Sequence, residues 1–316
     1  MSADLISSAE CRVSVVIPTY ARPVLLQRAI DSALAQTYNN VEVIVVDDNN
    51  PGTVGRSETE KVLRGYFNDK RVLYIRHDKN MNGAAARNTG IKASSGALIS
   101  FLDDDDYYSR DKVEVQVAFL NKNPDYMGVY CGRVEKGRAY VPVLSGDLTK
   151  ELLCLYNLPT SVLMFRKVAI EQINGFDESY RRHQDYEFLL RYFQKYLIGV
   201  VGAALVTLGD NEGENAKTSQ DFEELKSKFL GQFDGIISEL DRKGILKKSH
   251  VYACHYAPVF WSHLHRGHLR MALKLYFKMF CMAPVYFNIK LFGYFLAYMR
   301  YCYYRERNVL TGKEES

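Results

Sequence analysis

Four short apolar runs recur along the first hundred residues: Val13–Ile17, Val41–Val46, Val72–Ile75 and Ala97–Leu102. Between the first two lies a helical stripe, with Leu25, Leu26, Ala29, Ile30, Ala33 and Leu34 at i, i+3, i+4 spacing. A second helix is expected over about 57–67, and a glycine-bearing loop runs into a third over Asn80–Lys92. Strands alternating with helices at this spacing specify βαβ units and a mostly parallel central sheet. In open α/β sheets of that kind, ligands bind beyond the carboxyl ends of the strands. The polar clusters of this chain fall there: Pro18-Thr19-Tyr20, Asp47-Asp48, His77-Asp78 and Asp103 to Asp106.

After Tyr108 the rhythm loosens. Val129-Tyr130 and Ser161–Phe165 read as strands, and Gln184–Tyr196 as a helix with Phe188, Leu189, Tyr192, Phe193 and Tyr196 on one stripe. Asp210-Asn-Glu-Gly-Glu-Asn-Ala is a turn-rich boundary, and helical patterns dominate beyond it. The length of 316 residues fits about two domains. An α/β unit over 1–210 is therefore expected, with halves at about 12–106 and 107–210, followed by a helical region over 211–316. A content of 47% hydrophobic and 25% charged residues excludes a disordered chain.

Charge is unevenly spread. Arg242 to Arg305 contains eleven Lys or Arg and no Asp or Glu, which leaves 30 basic against 37 acidic residues elsewhere, a net of −7. A basic, aromatic end suggests an anionic surface as partner. The six cysteines show no CxxC spacing and read as reduced thiols in a cytosolic protein. The first ten residues have neither a basic segment nor an apolar core, so no secretory signal is expected.

Four adjacent carboxylates after an apolar strand repel one another and raise one another's pKa. A hard divalent cation relieves that repulsion. The plainer alternative is a solvated turn, one Asp capping a helix near Ser109 or Asp111. Asp47-Asp48-Asn-Asn-Pro-Gly is an ordinary turn composition, although a carboxylate there can also accept from a nucleobase. Small residues at Asn82-Gly83-Ala-Ala-Ala-Arg87 suit either close ligand approach or helix–sheet packing. Asp185, just ahead of an apolar stripe, suits either a helix N-cap or a general base. No GxGxxG and no GxxxxGK[ST] occurs, which disfavours an NAD enzyme and a P-loop ATPase. His250, His255, His263, His265 and His268 fit no zinc spacing with Cys254, so surface and interface histidines are the default.

Taken together, these segments resemble glycosyltransferase family 2, the inverting enzymes of GT-A fold. The resemblance is carried by Val13–Tyr20, Glu42–Asp48, Asn82–Gly90, Phe101–Tyr107, and Gly175–Glu178 with Gln184-Asp185, in that order over roughly 12 to 200. Phe101-Leu-Asp-Asp-Asp-Asp-Tyr107 is similar to the family's metal-binding DXD motif, and Gln184-Asp185 stands where Glu-Asp is common. The resemblance implies a GT-A (nucleotide-diphospho-sugar transferase) fold and transfer from a nucleotide-sugar donor, a UDP-sugar foremost. The acceptor implied is a saccharide or lipid-linked saccharide, in cell-surface polysaccharide assembly. Pro18, Thr19, Tyr20, Asp48, Asn82, Gly83, Arg87 and Asp104 would form the nucleotide site. Asp105 and Asp103 would hold Mg²⁺ or Mn²⁺, and Asp185 would be the catalytic base.

Two other classes fit less well. A receiver-type signalling module would use Asp47-Asp48 but leaves residues 130 to 316 unexplained. A nucleic-acid binder would use the basic end, but no recognition motif appears there and the acidic remainder repels phosphate. Pro284–Tyr304 is rich in Tyr, Phe and Leu, yet its uninterrupted apolar run, Leu291–Met299, is too short to span a bilayer, which takes ~20 residues. The expected location is the cytoplasm, and two readings of this end stay open: helices packed on the catalytic domain with their basic residues solvated, or an interfacial element at the inner face of the membrane.

Overall fold

The computed structural model describes residues 11–209 and 219–296. The expected boundary at Asp210–Ala216 and the residues after 296 lie outside these. The chain divides into two compact units, Met1–Leu152 with Asn157–Glu212, and Leu153–Tyr156 with Gly213–Ser316.

The first unit opens as an alternation: β1 (Val13–Thr19), α1 (Pro23–Leu34), β2 (Val41–Asp47), α2 (Val54–Arg64), β3 (Val72–Arg76), α3 (Gly83–Ala93) and β4 (Leu98–Phe101). It continues with β5 (Tyr107–Tyr108), α4 (Lys112–Lys122), β6 (Gly128–Glu135), β7 (Arg138–Tyr140), α5 (Thr149–Leu153), a 3₁₀ turn (Thr160–Val162), β8 (Leu163–Arg166), α6 (Lys167–Gln172), α7 (Gln184–Phe193) and β9 (Ile198–Thr207). One sheet runs in the order β3-β2-β1-β4-β8-β6-β9-β5, with β7 on β6. The block β3-β2-β1-β4 is wholly parallel. Beyond it, β8 runs antiparallel to both β4 and β6, while β9 is parallel to β6. The parallel half is thus the half with the alternating sequence, and the looser half supplies the antiparallel strands.

Two boundaries differ from expectation for local reasons. β1 does not stop before Pro18 but pairs it with Val46. Val16 accepts from Leu102 on the β4 side and Thr19 from Asp48 on the β2 side. Alternation therefore turns the missing N–H of Pro18 toward β4, whose ladder has already ended at Val16–Phe101. α2 begins at Val54 because Thr53 accepts from the Arg56 amide and caps it.

Ala84, Ala85, Ala86 and Gly90 of α3 are buried against β1 and β2. A Cβ at Gly90 would collide with the side chain of Val16. Close helix–sheet packing therefore accounts for much of this small-residue stretch.

In the second unit, α8 (Ser219–Gln232), α9 (Asp234–Arg242) and α11 (Leu269–Met282) pack on α10 (Lys248–His265). Helical backbone resumes over 284–296. Its core includes Phe229, Phe233, Ile237, Val251, Tyr256 and Phe287. His255 and His263 are fully buried rather than on the surface. His255 Nε2 lies 3.1 Å from the Leu153 carbonyl oxygen, and its ring stacks on Phe229. His263 Nε2 lies 3.4 Å from Glu223. These aromatic rings fill core volume while a nearby acceptor satisfies a ring nitrogen.

Lys112, at the start of α4, is completely buried. Its ammonium donates to Ser100 and sits 4.0 Å from the centre of the Tyr108 ring. Burial pushes it down to about 7, from roughly 10.4 in an unfolded chain. Above pH ~10.4 neither state carries the proton and no penalty exists. As pH falls toward 7 the unfolded chain protonates first, and the folded state loses up to roughly 4 kcal/mol. Lys112→Met is therefore expected to raise Tm at pH 7, with the gain shrinking toward zero near pH ~10. Thermal unfolding followed by circular dichroism across that range checks this, and a pH-independent gain would contradict it.

Candidate active site

The four aspartates after β4 do not form a solvated turn. Asp104 and Asp106 are buried, and Asp105 is 17% exposed at its side chain. Asp104 accepts from Thr19 Oγ1 at 2.8 Å, from the Tyr20 amide at 3.2 Å and from Arg22 Nη1 at 3.2 Å. The same guanidinium donates to Asp105 Oδ2 at 2.6 Å. Asp106 accepts from Ser161 Oγ and from the Gly209 amide. Nor does any of the four cap α4, whose N-cap position is Asp111.

The electrostatics are those of crowded carboxylates. Burial raises Asp104 to about 7, against the pull of Arg22. Burial, then the charge of Asp103, raises Asp106 to about 7. Asp105 is raised for the same two reasons, with Arg22 and Arg28 opposing. Burial thus outweighs the pull of the arginines and favours the neutral form of these carboxyls.

Asp103 is tied to the other half of the sheet. It accepts from Arg87 Nη2 at 2.5 Å and Thr160 Oγ1 at 3.2 Å, and its amide donates to Ser161. Arg87 Nη1 donates to Gln184 Oε1 at 2.9 Å, so one guanidinium spans Asp103 and the residue before Asp185. Gly83 faces this bridge, since a Cβ there would stand 3.1 Å from Arg87 Nη1 and 3.2 Å from Gln184 Oε1. α7 starts after His183, which holds φ at 61°, so Asp185 lies inside the first turn rather than at the cap. Burial raises the Asp185 carboxyl; Arg87 lowers it and Asp103 raises it further. The preceding loop is anchored by Asn88, which donates to Phe176 O and Glu178 and accepts from the Phe176 amide.

Asp47 and Asp48 are both sealed. Asp47 pairs with Arg56 at 3.2 Å and accepts from Tyr74 at 2.6 Å. An aspartate so enclosed is not a phospho-acceptor of the receiver type. Asp48 is 3% exposed. Its two oxygens accept from His77 Nδ1, Asn80 Nδ2 and the amides of Met81 and Asn82, at 2.8–2.9 Å. Both are committed to the 77–82 loop, which runs into α3. Asn82 caps α3 by accepting from Ala84 and Ala85, and donates to Glu178 O.

Of the residues singled out from sequence, Thr19, Tyr20 and Asp104 form one knot. Asp103, Arg87 and the Gln184–Asp185 turn form a second, and Asp105 shares its charge with both. Tyr20 remains 52% exposed, while Pro18 contributes only strand backbone. Sequence reasoning missed Arg22, Arg28, Thr160 and Ser161. Arg22 could have been suspected as a cation just past the carboxyl end of β1. Thr160-Ser161 could not, because nothing local shows that β8 lies beside β4. A surface groove of about 770 Å³ lies beside α2 and β3, lined by Thr53, Arg56, Glu60, Tyr74 and Arg76 among others. It contains none of the four aspartates, so chemistry rather than volume locates the site.

A family model described as glycosyl transferase family 2 matches residues 14–173. The chain belongs to this family. An uncharacterized glycosyltransferase of Rickettsia prowazekii is 32% identical over 69% of this chain and 71% of its own length. Another, from Rickettsia felis, is 32% identical over 65% of this chain, which spans only 34% of that relative. The amylovoran biosynthesis glycosyltransferase AmsB of Erwinia amylovora is 28% identical over 56% of this chain and 62% of its own. Among solved structures, S. aureus TarS 1–349 in complex with UDP-GlcNAc superposes with a TM-score of 0.60, covering 90% of this chain and 92% of the 1–349 chain at 16% identity. That likeness concerns the fold alone, and this family 2 chain has the GT-A-like arrangement expected from its sequence.

Arg87→Met would leave Asp103 and Gln184 without their shared donor. Breaking a buried pair costs about 3–5 kcal/mol, and with Asp103 34% exposed the expected loss is about 2–3 kcal/mol. Arg87→Lys restores the charge but not the two-pronged geometry and should recover only part. Urea unfolding of the three proteins measures this.

Proposed function

We propose that this protein is an inverting, metal-dependent glycosyltransferase that moves a sugar from a UDP-sugar to a hydroxyl of a saccharide or lipid-linked saccharide. The observation that carries this reading is the Arg87 bridge, which joins the acidic cluster to the turn bearing Asp185. The UDP-GlcNAc bound by TarS supports the donor class, and the name of AmsB supports a place in cell-surface polysaccharide assembly.

The cluster fits a hard divalent cation, Mg²⁺ or Mn²⁺. It offers oxygen donors, and burial first, then the charge of Asp103, raises Asp105 and Asp106, so a bound cation would favour their ionised form. Asp105 and Asp103 would hold the ion, which when bound offsets charge on the leaving diphosphate. Arg87 and Gly83 would border the diphosphate, and the exposed Tyr20 ring with Thr19 would border the nucleoside. Asp104 positions that segment through Thr19 and Tyr20, and Asp48 and Asn82 hold the 77–82 loop in shape. Asp185, raised by burial, takes the proton of the acceptor hydroxyl as its oxygen attacks the anomeric carbon from the face opposite the diphosphate. One displacement through an oxocarbenium-like transition state inverts the centre.

The second unit supports contact with an anionic bilayer at the cytoplasmic face. α11 carries three stripes: Ala272, Leu275 and Met279 are buried, and Leu269, Leu273, Phe277 and Phe280 are exposed. Arg270, Lys274 and Lys278 flank the exposed apolar stripe. Apolar and basic residues side by side suit an interfacial helix. Among the described residues no helix is long and apolar enough to cross a membrane.

Two outcomes are expected. Asp185→Asn should lower transfer by about 10²–10⁴-fold, the range a general base supplies, while UDP with Mn²⁺ still raises Tm as in the parent protein; normal turnover would remove Asp185 from that role. In sedimentation with anionic vesicles, the parent protein should bind and release with salt, and Phe277→Glu with Phe280→Glu should bind several-fold less. Equal sedimentation of both would remove the bilayer contact.

A further inference from the structure

A second cluster of ligand atoms lies in the C-terminal unit, and the transferase reading makes no use of it. His250 and Cys254 stand at i and i+4 on α10, on one face of the helix. Cys154 reaches the same place from the segment Leu153–Tyr156, which belongs to this unit. One ligand atom from each of the three lies within 4.8 Å of the others. Cys254 is buried, and Cys154 and His250 are partly so. The neighbour of Cys154, Leu155, holds φ at 67°. A leucine adopts that conformation at a cost, and such residues persist where the surroundings over-determine them.

Two sulfurs and an imidazole are soft and borderline donors, unlike the all-oxygen set of the aspartate cluster. A tetrahedral zinc ion, with bonds of about 2.3 Å to sulfur and about 2.0 Å to nitrogen, holds its ligand atoms roughly 3.5–3.8 Å apart. Atoms within 4.8 Å of one another need close by no more than about 1 Å to reach that spacing. We propose that Cys154, His250 and Cys254 form a zinc site with three protein ligands and a fourth position for water. The sequence hides this site because its third ligand is a hundred residues from α10, so no short zinc motif appears. Both sulfurs bind as thiolates, and their two charges balance that of the ion. The proposal is independent of the transferase reading, since it uses none of the same residues.

The test uses the full chain, purified under reductant, stripped with a chelator and titrated with Co²⁺ as the probe. One equivalent is expected to give a thiolate-to-cobalt charge-transfer band with tetrahedral ligand-field bands, and Zn²⁺ should displace it. Cobalt held by Asp103–Asp106 gives no thiolate band, so the two sites are distinguishable. Cys154→Ser and Cys254→Ser should each weaken binding beyond the ~10–100-fold typical of outer-shell changes, with native circular dichroism. Should either variant fail to fold, alkylation of the unmodified chain decides: Zn²⁺ is expected to slow iodoacetamide at Cys154 and Cys254 but not at the exposed Cys281. A wild-type chain with no thiolate band, a band that survives both substitutions, or alkylation rates unchanged by zinc would overturn the proposal.

Discussion

The site depends on how four carboxylates are kept together at the end of one strand. Asp103 to Asp106 follow β4 directly, and three of them are largely withdrawn from water. Burying a charge without a partner is expensive. Arg22 supplies one partner, reaching Asp104 and Asp105, and Arg87 supplies the other at Asp103. Burial is the main reason that Asp104, Asp105 and Asp106 have raised pKa values; Asp103 adds to it at Asp105 and Asp106, and Arg22 opposes it at Asp104 and Asp105. Perturbed carboxyls gathered at a strand end are a common mark of functional sites.

Arg87 has a second consequence. Its fork holds Asp103 with one arm and Gln184 with the other, while its guanidinium lies 5.6 Å from the centre of the Phe176 ring. Phe176 stacks on Phe188 of α7 at 4.3 Å between centroids. Charge pairing and aromatic packing therefore act on the same helix start, and the direction in which Asp185 is offered is set by both. The close seat of α3 on β1 at Gly90 and Val16 fixes where Arg87 begins. A site on a helix packed this tightly is more rigid than one carried by a loop.

Much of this was legible along the chain. The strands β1 to β4, their alternation with helices and their parallel pairing follow from four apolar runs alternating with helical stripes, because strand and helix periodicity are local properties; their order across the sheet does not. The acidic clusters were visible for the same reason. What was not legible depended on distant pairing: Thr160 and Ser161 matter only because β8 lies antiparallel to β4. Asp48 read either as a turn residue or as a nucleotide contact, and only the folded structure shows its oxygens occupied by the 77–82 loop. His255 and His263 looked like surface residues in a basic stretch, but helix packing buried them.

The sequence alone determined the order of strands and helices in the parallel half, the identity of the acidic motif and the division of charge along the chain. These are set by neighbours a few residues apart, through side-chain periodicity and direct repulsion between adjacent carboxylates. Tertiary structure alone decided which arginine neutralises which aspartate, that Gln184 and Asp185 share a neighbourhood with Asp103, and that Cys154 meets His250 and Cys254. Those outcomes require segments up to a hundred residues apart to be brought within a few ångströms, and burial and strand pairing, rather than any local pattern, bring them there.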